Sequence, residues 1–383
     1  MKVAVTTLAF CVTSLLALGL VMLYSSSMVM WDKHTQSVVG AHMLQMQVVW
    51  CFLGFIACVT MAALDYELLK KFALPVFIGA LGLAALVFVP HIGISLNGAH
   101  RWIRKFGVTC QPSEFVKIAL IVMLAWYGDY SQRKMNTFKR GILIPGIIIA
   151  AALGLIFIEP DRGTTILLAA VGGTMLVLEG VKWWHLILPV LAAGAALVYS
   201  LSHDSMRSGR ITAWLHPEAH ADVARQAVEA KIAIGSGGLT GLGLGDGMQK
   251  YGFLSEIHSD FIFANIGEEL GLAATLLVVL AFLLIAVCGL FIALRARDQF
   301  GCLLAVGVTS LISYQAIINI GVVTSLLPNK GLALPFISAG GSSLLAMLIG
   351  VGILFSVARQ AVPAKISATD FVANDNPFAA KAT

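Results

Sequence analysis

Charge is scarce in this 383-residue sequence: 12% of its residues are Asp, Glu, Lys or Arg, while 58% are hydrophobic. So few polar groups cannot cover a water-soluble domain of this composition, and the mean hydropathy of +0.89 gives the same exclusion. Cysteine is scarce as well. Cys11, Cys51, Cys58, Cys288 and Cys302 fall in apolar runs and Cys110 stands in a polar stretch, with no CxxC or Cys/His cluster. That pattern excludes a disulfide scaffold and a thiolate zinc site. No basic stripe of the kind nucleic acid requires is present, so the net charge of +5 needs another source. HExxH and a G-x-S-x-G element with a Ser-His-Asp order are missing. The glycines from Gly235 to Gly247 are followed by no GK[ST] and preceded by no strand pattern, which excludes a P-loop.

What is abundant is uninterrupted apolar sequence. A bilayer span takes roughly 20 apolar residues. Such runs fall at about 3–24, 44–64, 72–90, 114–130, 141–158, 163–179, 183–200, 262–292, 300–327 and 339–358. The expected fold is an all-α polytopic membrane protein of about ten transmembrane helices, with a large extracytoplasmic loop between the seventh and eighth. The 262–292 run exceeds one span, so its first turns are expected at the interface. Lys2 precedes the first run, but that run is too long for a signal h-region and no A-x-A site follows; it is read as the first span.

The Lys/Arg bias sets the orientation. With both termini in the cytoplasm, Lys70, Lys71, Arg133, Lys134, Lys139, Arg140, Lys182, Arg295, Arg297 and Arg359 collect inside, which also accounts for the net charge. Arg101, Arg104, Lys105, Arg162 and Lys330 remain outside, together with the long 201–260 loop. Residues 1–360 then form one membrane domain with no convincing internal repeat, and 361–383 are expected to be a disordered cytoplasmic tail.

Three outside segments break the pattern: 91–113, 201–260 and 328–343. The second contains a helix-compatible stretch, ARQAVEAKIAIG, before its glycines. Irregular backbone at membrane depth requires protein or a water-filled cavity to satisfy it, so three such segments on one face point to a shared exterior site. Glu256, His258, Asp260, Glu268 and Glu269 fall where a long apolar run begins, and ionisable groups at such a boundary are functional candidates. Asp260, directly before Phe261-Ile262-Phe263, is either a helix N-cap or a catalytic base, or both. Glu268 and Glu269 also suit first-turn acids facing a helix dipole.

Glu114 and Lys117, spaced i, i+3, are either a local ion pair or the holders of an anionic headgroup. Glu159, Asp161 and Arg162 form a turn in which Asp161 suits an N-cap. Arg101, Arg104 and Lys105 beside Trp102 suit either lipid phosphates or interfacial anchoring. The glycines are expected to give backbone freedom or close approach to a ligand.

Taken in order, five motifs resemble the SEDS family (shape, elongation, division and sporulation): NGAHRWIR at 97–104, QPSEFVKIA at 111–119, EPDRGTT at 159–165, GLGDGMQKYGFLSEIHSDFIFANIGEELG at 243–271, and LLPNKGLALPFISAGGSS at 326–343. LYSSS at 23–27, GLGDGMQK and Lys330 of PNKG are more similar to the FtsW-like division branch than to the RodA-like one. Ser255, Ser259, Ala339 and Arg225 depart from the usual Pro, Thr, Tyr and Tyr. None removes a chemically required residue, although Ser255 loosens the approach to Asp260.

The resemblance implies a peptidoglycan glycosyltransferase that polymerises lipid II with inversion and releases undecaprenyl pyrophosphate, in the bacterial cytoplasmic membrane with its active site facing outside. Asp260 would be the base. Substrate-binding candidates are Arg101, Glu114, Lys117, Asp161, Arg210, Gln226, Glu256, His258 and Lys330. A divalent cation, Mg2+ or Mn2+, would help neutralise the pyrophosphate, and no organic cofactor is implied. The rival readings are a lipid-precursor flippase and a scaffold that recruits a transpeptidase. Expected partners are lipid II, a class B penicillin-binding protein, other division proteins and the bilayer, but not nucleic acid. Gly271, Ala273, Ala274, Gly289, Gly301 and Gly307, on the eighth and ninth spans, offer a small-residue face for the partner's helix or for packing inside the bundle.

The orientation is tested with single thiols at Ser205 and Ser367 and an impermeant reagent on intact cells. Ser205 should label and Ser367 should not; the reverse pattern would invert the topology.

Overall fold

The computed structural model describes residues 1–27, 31–32, 37–89, 93–96, 99–105, 108–132, 135, 137–202, 205–249 and 258–361. Glu256 and the tail from 362 lie outside the described residues. Twelve α-helices are present among the described residues: α1 Lys2–Ser27, α2 Val39–Ala63, α3 Glu67–Ala85, α4 Ser113–Ser131, α5 Ile144–Ile158, α6 Arg162–Leu178, α7 Trp183–Ser202, α8 Ser205–Leu215, α9 Ala221–Ser236, α10 Ile262–Leu294, α11 Gln299–Val323 and α12 Gly341–Gln360. All but α8 and α9 overlie the expected apolar runs. Seven segments among the described residues are long and apolar enough by themselves to cross a membrane: α1, α2, α3, the α5 region, α10, α11 and α12. The α4 helix carries Glu114, Lys117 and Asp129 and lies at the centre, between α3 and α11.

On the outer helices the apolar residues face outward. Phe52, Phe55, Ile56 and Val59 of α2 and Leu276, Leu277, Leu280 and Leu283 of α10 are exposed. In water such a surface would aggregate, whereas against lipid tails it is matched to its solvent. The α12 helix packs on α2, and α10 packs on α1 and α11.

The bundle has two chemically different ends. At the terminus end, short turns are tied across helices: Tyr66 Oη donates to Asp298 (2.7 Å), Lys70 pairs with Asp129 (2.6 Å), and Ser356 Oγ donates to Leu64 O (2.6 Å). The opposite, loop end carries everything longer. One correction arises there: the described residues of the 91–113 segment are not irregular. A two-stranded pair, β1 Trp31–Asp32 with β2 Ser37–Val38, precedes it, and the segment itself forms an antiparallel sheet of β3 Gly93–Leu96, β4 Ala99–Lys105 and β5 Val108–Cys110. Its backbone is satisfied by ladder hydrogen bonds rather than by a cavity, with a register shift between Ile94 and Ser95. The over-long eighth run divides as its length led one to expect: α10 is two helices joined at Gly271, whose φ of 77° and ψ of −173° break the helix. The first turns of the over-long run therefore form a separate short helix at the loop end.

The glycine run wraps this break. Leu242 N and Gly243 N donate to Glu268 O and Glu269 O, while Leu272 N and Ala273 N donate back to Gly238 O and Leu239 O. A β-carbon on Gly241 would collide with the Glu269 and Leu270 backbone, and one on Gly271 would collide with Gly241. The glycines give close approach of backbone to backbone at this break.

The small-residue docking face is also corrected. Gly271, Gly289 and Gly307 are buried, the last two against Thr309 and against Ile121 with Met175. Gly301 is buried against Asp298 and Tyr66. These residues serve packing inside the bundle because each lies on the inner stripe of its helix; Ala273 is exposed and Ala274 half-buried.

Gly271→Ala should destabilise the protein by roughly 1–3 kcal/mol, the cost of forcing a side chain into this backbone conformation. Leu272→Ala, on the exposed face, should stay within about 0.5 kcal/mol. Thermal unfolding in detergent measures both, and equal midpoints would contradict the kink assignment.

Candidate active site

Asp260 sits in the turn that leads into α10. The N-cap position of α10 is Phe261, which makes no side-chain cap, so Asp260 is not the capping residue. Phe261, Ile262 and Phe263 are buried and anchor the turn from below.

Three successive carbonyls of the turn are held, two by the 328–340 segment and one by α11. His258 O accepts from Ala339 N (2.9 Å), Ser259 O from Ser338 Oγ (2.5 Å), and Asp260 O from Asn319 Nδ2 (2.8 Å). The same Asn319 amide donates to Leu332 O (2.7 Å), so one side chain of α11 ties the acidic turn to the segment 328–340. Where the two strands of chain meet, a β-carbon on Gly331 would lie 2.6 Å from Asp260 Oδ2. Glycine at this position lets the carboxylate approach the backbone closely, and a side chain there would displace it. Gln47 of α2 brackets the same segment, donating to Ser338 O and accepting from Gly340 N, both at 3.3 Å. Phe336, buried in this segment, is held at a φ of 66°, a strained value for a bulky residue.

One turn back along α11, Gln315 Nε2 donates to Ala333 O (2.8 Å) and Gln315 Oε1 accepts from Lys117 Nζ (3.0 Å). Lys117 Nζ also lies 2.8 Å from Glu114 Oε2, at ion-pair distance. Lys117 is 0% exposed and Glu114 6%. The pair is therefore enclosed beneath the 328–340 segment and reaches the site through Gln315.

A second clamp lies beside it. Arg101 donates to Glu159 O (3.2 Å) and Pro160 O (2.7 Å) and stands 3.7 Å from Asp161 Oδ2. Asp161 is the N-cap of α6, accepting from Thr164 N (3.1 Å) and Thr164 Oγ1 (2.9 Å), with Gln111 Nε2 at 3.4 Å. Its acceptor positions are engaged in structure. The Glu159 carboxyl is wholly buried without a hydrogen-bond partner. Burial first, and the neighbouring Asp161 charge second, push it up to about 8. Glu179, past the other end of α6, is likewise buried without a hydrogen-bond partner. A carboxylic acid that stays protonated is the cheaper way to enclose such a group.

The remaining candidates separate. Gln226 of α9 accepts from Asn329 Nδ2 (2.8 Å), which brings the large loop onto PNKG. Lys330 lines a cleft of about 110 Å3 with Gly163, Ile166, Ile318 and Pro328, and burial lowers its ammonium below the usual lysine range. His258 Nδ1 shares a hydrogen bond with Ser26 Oγ (2.8 Å), and Ser25 Oγ donates to Glu269 (2.6 Å). Glu268 accepts from Met248 N (2.8 Å) and Glu269 from Gly245 N (3.2 Å), so these acids hold the glycine loop. Arg210 and Arg104 are exposed, on α8 and β4.

Gln315, Asn319, Ser338 and Gln47 were missed by the sequence reading. The signal was there: amides in otherwise apolar spans must find partners. Among the described residues no three carboxylates, histidines or cysteines converge on one point.

With this geometry in view, the comparisons are direct. The FtsW/RodA/SpoVE family model, described as cell cycle protein, matches residues 6–362. The chain is 38% identical to a probable peptidoglycan glycosyltransferase FtsW of Trichlorobacter lovleyi over 94% of each chain. It is 36% identical to the stage V sporulation protein E of Bacillus subtilis over 90% of this chain and 94% of that protein. The solved RodA of Thermus thermophilus superposes with a TM-score of 0.67 at 25% identity, covering 93% of this chain and 97% of that one. A chain of a solved peptidoglycan synthase complex superposes at 0.72 and 23% identity, over 92% and 96%, and bears on the fold alone. The chain belongs to the FtsW/RodA/SpoVE family of SEDS proteins.

Lys117→Met alone should cost about 3–5 kcal/mol, because it leaves Glu114 enclosed without its counter-charge. Glu114→Leu added to Lys117→Met should recover most of that loss. Chemical unfolding of both variants measures the difference; a single variant as stable as the parent would place the pair in water instead.

Proposed function

We propose that this protein polymerises lipid II into glycan strands during cell division, at the outer face of the bacterial cytoplasmic membrane, with Asp260 as general base. The observation that carries the reading is the pinning of the Asp260 turn to the 328–340 segment by Asn319 and Ser338, with the carboxylate set against Gly331. The family's membership in peptidoglycan synthesis, by the names of the relatives, supports it.

In this reading the acceptor's sugar hydroxyl oxygen attacks the anomeric carbon of the donor. The bond from that carbon to the lipid pyrophosphate breaks and takes its electron pair with it. The hydroxyl proton passes to Asp260, and the configuration inverts. Pyrophosphate leaves as a stabilised anion without a general acid, so one carboxylate is sufficient, unlike the paired carboxyls of glycoside hydrolysis. Cations near a developing pyrophosphate charge stabilise it most where water is excluded. In this reading Lys330, partly buried in its cleft, and Arg210 of α8 supply these cations. Glu114, Lys117, Arg101 and Asp161 serve substrate by fixing the walls of the site.

A glycan polymerase needs a cross-linking partner, and the motifs of this chain include no transpeptidase nucleophile. The partner in this reading is a class B penicillin-binding protein.

Asp260→Asn keeps the shape and hydrogen-bonding capacity of the side chain and removes the base. Purified Asp260→Asn should lose about 10²–10⁴-fold in lipid II polymerisation while binding lipid II and unfolding as the parent does. Near-normal polymer yield would remove Asp260 from this role. Loss of lipid II transfer across vesicles, with polymerisation retained, would favour the flippase reading.

A further inference from the structure

At the terminus end, far along the helices from Asp260, a cleft of about 640 Å3 opens between α1, α10 and α12. Its walls are Met1, Lys2, Val5 and Thr6 of the first helix, Arg295 after α10, and Phe355, Ala358, Arg359 and Ala361 of the last. Three cations from three separate elements therefore face one space, and no carboxylate is among its lining residues within the described part of the chain.

The ordinary fate of such cations is to pair with acids or to stand in water as topology anchors. Their neighbours at this end do pair: Lys70 with Asp129 and Arg297 with Glu67 (3.7 Å). Among the described residues Lys2 and Arg295 meet no acid; Arg295 instead lies over the Phe291 ring, 4.5 Å from its centroid. Arg359 donates one N–H to Leu64 O (3.1 Å), which leaves the rest of its fork. Asp65, whose charge reaches Arg359, already accepts from Gln360 Nε2 (3.0 Å) and Glu67 N (2.9 Å). Lys2 also lies in the first turn of α1, where the helix dipole disfavours a cation and favours an anion.

We infer that this cleft is a binding site for one anionic phospholipid headgroup of the leaflet that meets the chain termini. The phosphodiester would sit among Lys2, Arg295 and Arg359, where a planar guanidinium can take two phosphate oxygens at once. The rest of the wall argues for a lipid over a free anion. Val5, Phe355 and Ala358 are apolar and lie near the ends of α1 and α12, which suits the glycerol and first acyl carbons of a lipid. Basic clefts between transmembrane helices on the cytoplasmic side are suited to such headgroups. The site is independent of the reaction proposed for Asp260, since it lies at the opposite end of the bundle.

The test uses the full-length protein in detergent, examined by native mass spectrometry. Cardiolipin or phosphatidylglycerol is titrated against phosphatidylethanolamine, with inorganic phosphate as a separate competitor. The parent should retain one anionic lipid with at least about tenfold preference. Each cation near a headgroup contributes about fivefold, so Arg295→Gln should lose about fivefold. Lys2→Gln, Arg295→Gln and Arg359→Gln combined should lose on the order of 100-fold. Thr6→Trp, at an exposed position on the cleft wall, should block the lipid by filling the space with all three charges intact. Arg225→Gln, a cation on α9, should change nothing. An unaltered melting midpoint for Arg295→Gln and Thr6→Trp keeps the comparison sound if the triple variant fails to fold. Equal retention by parent and variants, or no preference for anionic lipid, would overturn the site. Displacement of the lipid by inorganic phosphate at millimolar concentration would overturn the lipid assignment.

Discussion

The hydrogen bonds of one side-chain amide, Asn319, organise the loop end of this bundle. Its Nδ2 donates to Asp260 O and to Leu332 O, two carbonyls that no helix or sheet satisfies. Within or beside a bilayer an unpaired carbonyl costs several kcal/mol, because no water replaces the lost partner. Chain that turns back at this depth therefore goes where polar side chains can meet it. Gln315, Ser338 and Gln47 do the same for Ala333, Ser259 and the Gly340 region. The acidic turn and the 328–340 segment come together because each holds unsatisfied groups that α11 and α2 can complete.

The same economy governs charge. Buried Lys117 is kept by Glu114 and Gln315, and Asp161 by the first turn of α6. Glu159, which has no such partner, is held toward the protonated form. It favours the folded protein most below the ordinary glutamate range. That share is lost as pH rises toward about 8, where the folded form ionises. Charges left in water or at headgroups gather at the terminus end instead, where the cleft of Lys2, Arg295 and Arg359 opens. The site thus rests on a rigid polar frame, while the opposite end presents cations to the membrane surface.

Several elements could be read from the chain alone. The apolar runs match helices α1 to α7 and α10 to α12 to within a few residues, because hydropathy over a span is a local property. Asp161 as an N-cap and Glu114 with Lys117 as an i, i+3 pair were both readable from spacing. The over-long eighth run pointed to an interfacial segment, and Gly271 supplies the break. Less was legible at the 91–113 segment. Its strands pair over a register shift, and the sequence, mixing Gly, His and basic residues, carries no clean alternation.

What the sequence by itself determined is the membrane class, the order of the helices, the family motifs and the choice of Asp260 as the acid to examine. Only the tertiary structure decided which polar residues meet. Gln47 reaches Ser338 and Ser25 reaches Glu269 across separations of 291 and 244 residues. It also turned Gly271, Gly289, Gly301 and Gly307 of α10 and α11 inward and enclosed Lys117. Spacing along a helix fixes which side chains share a face. Which neighbour that face meets is settled when the bundle closes and each buried polar group finds the partner that satisfies it.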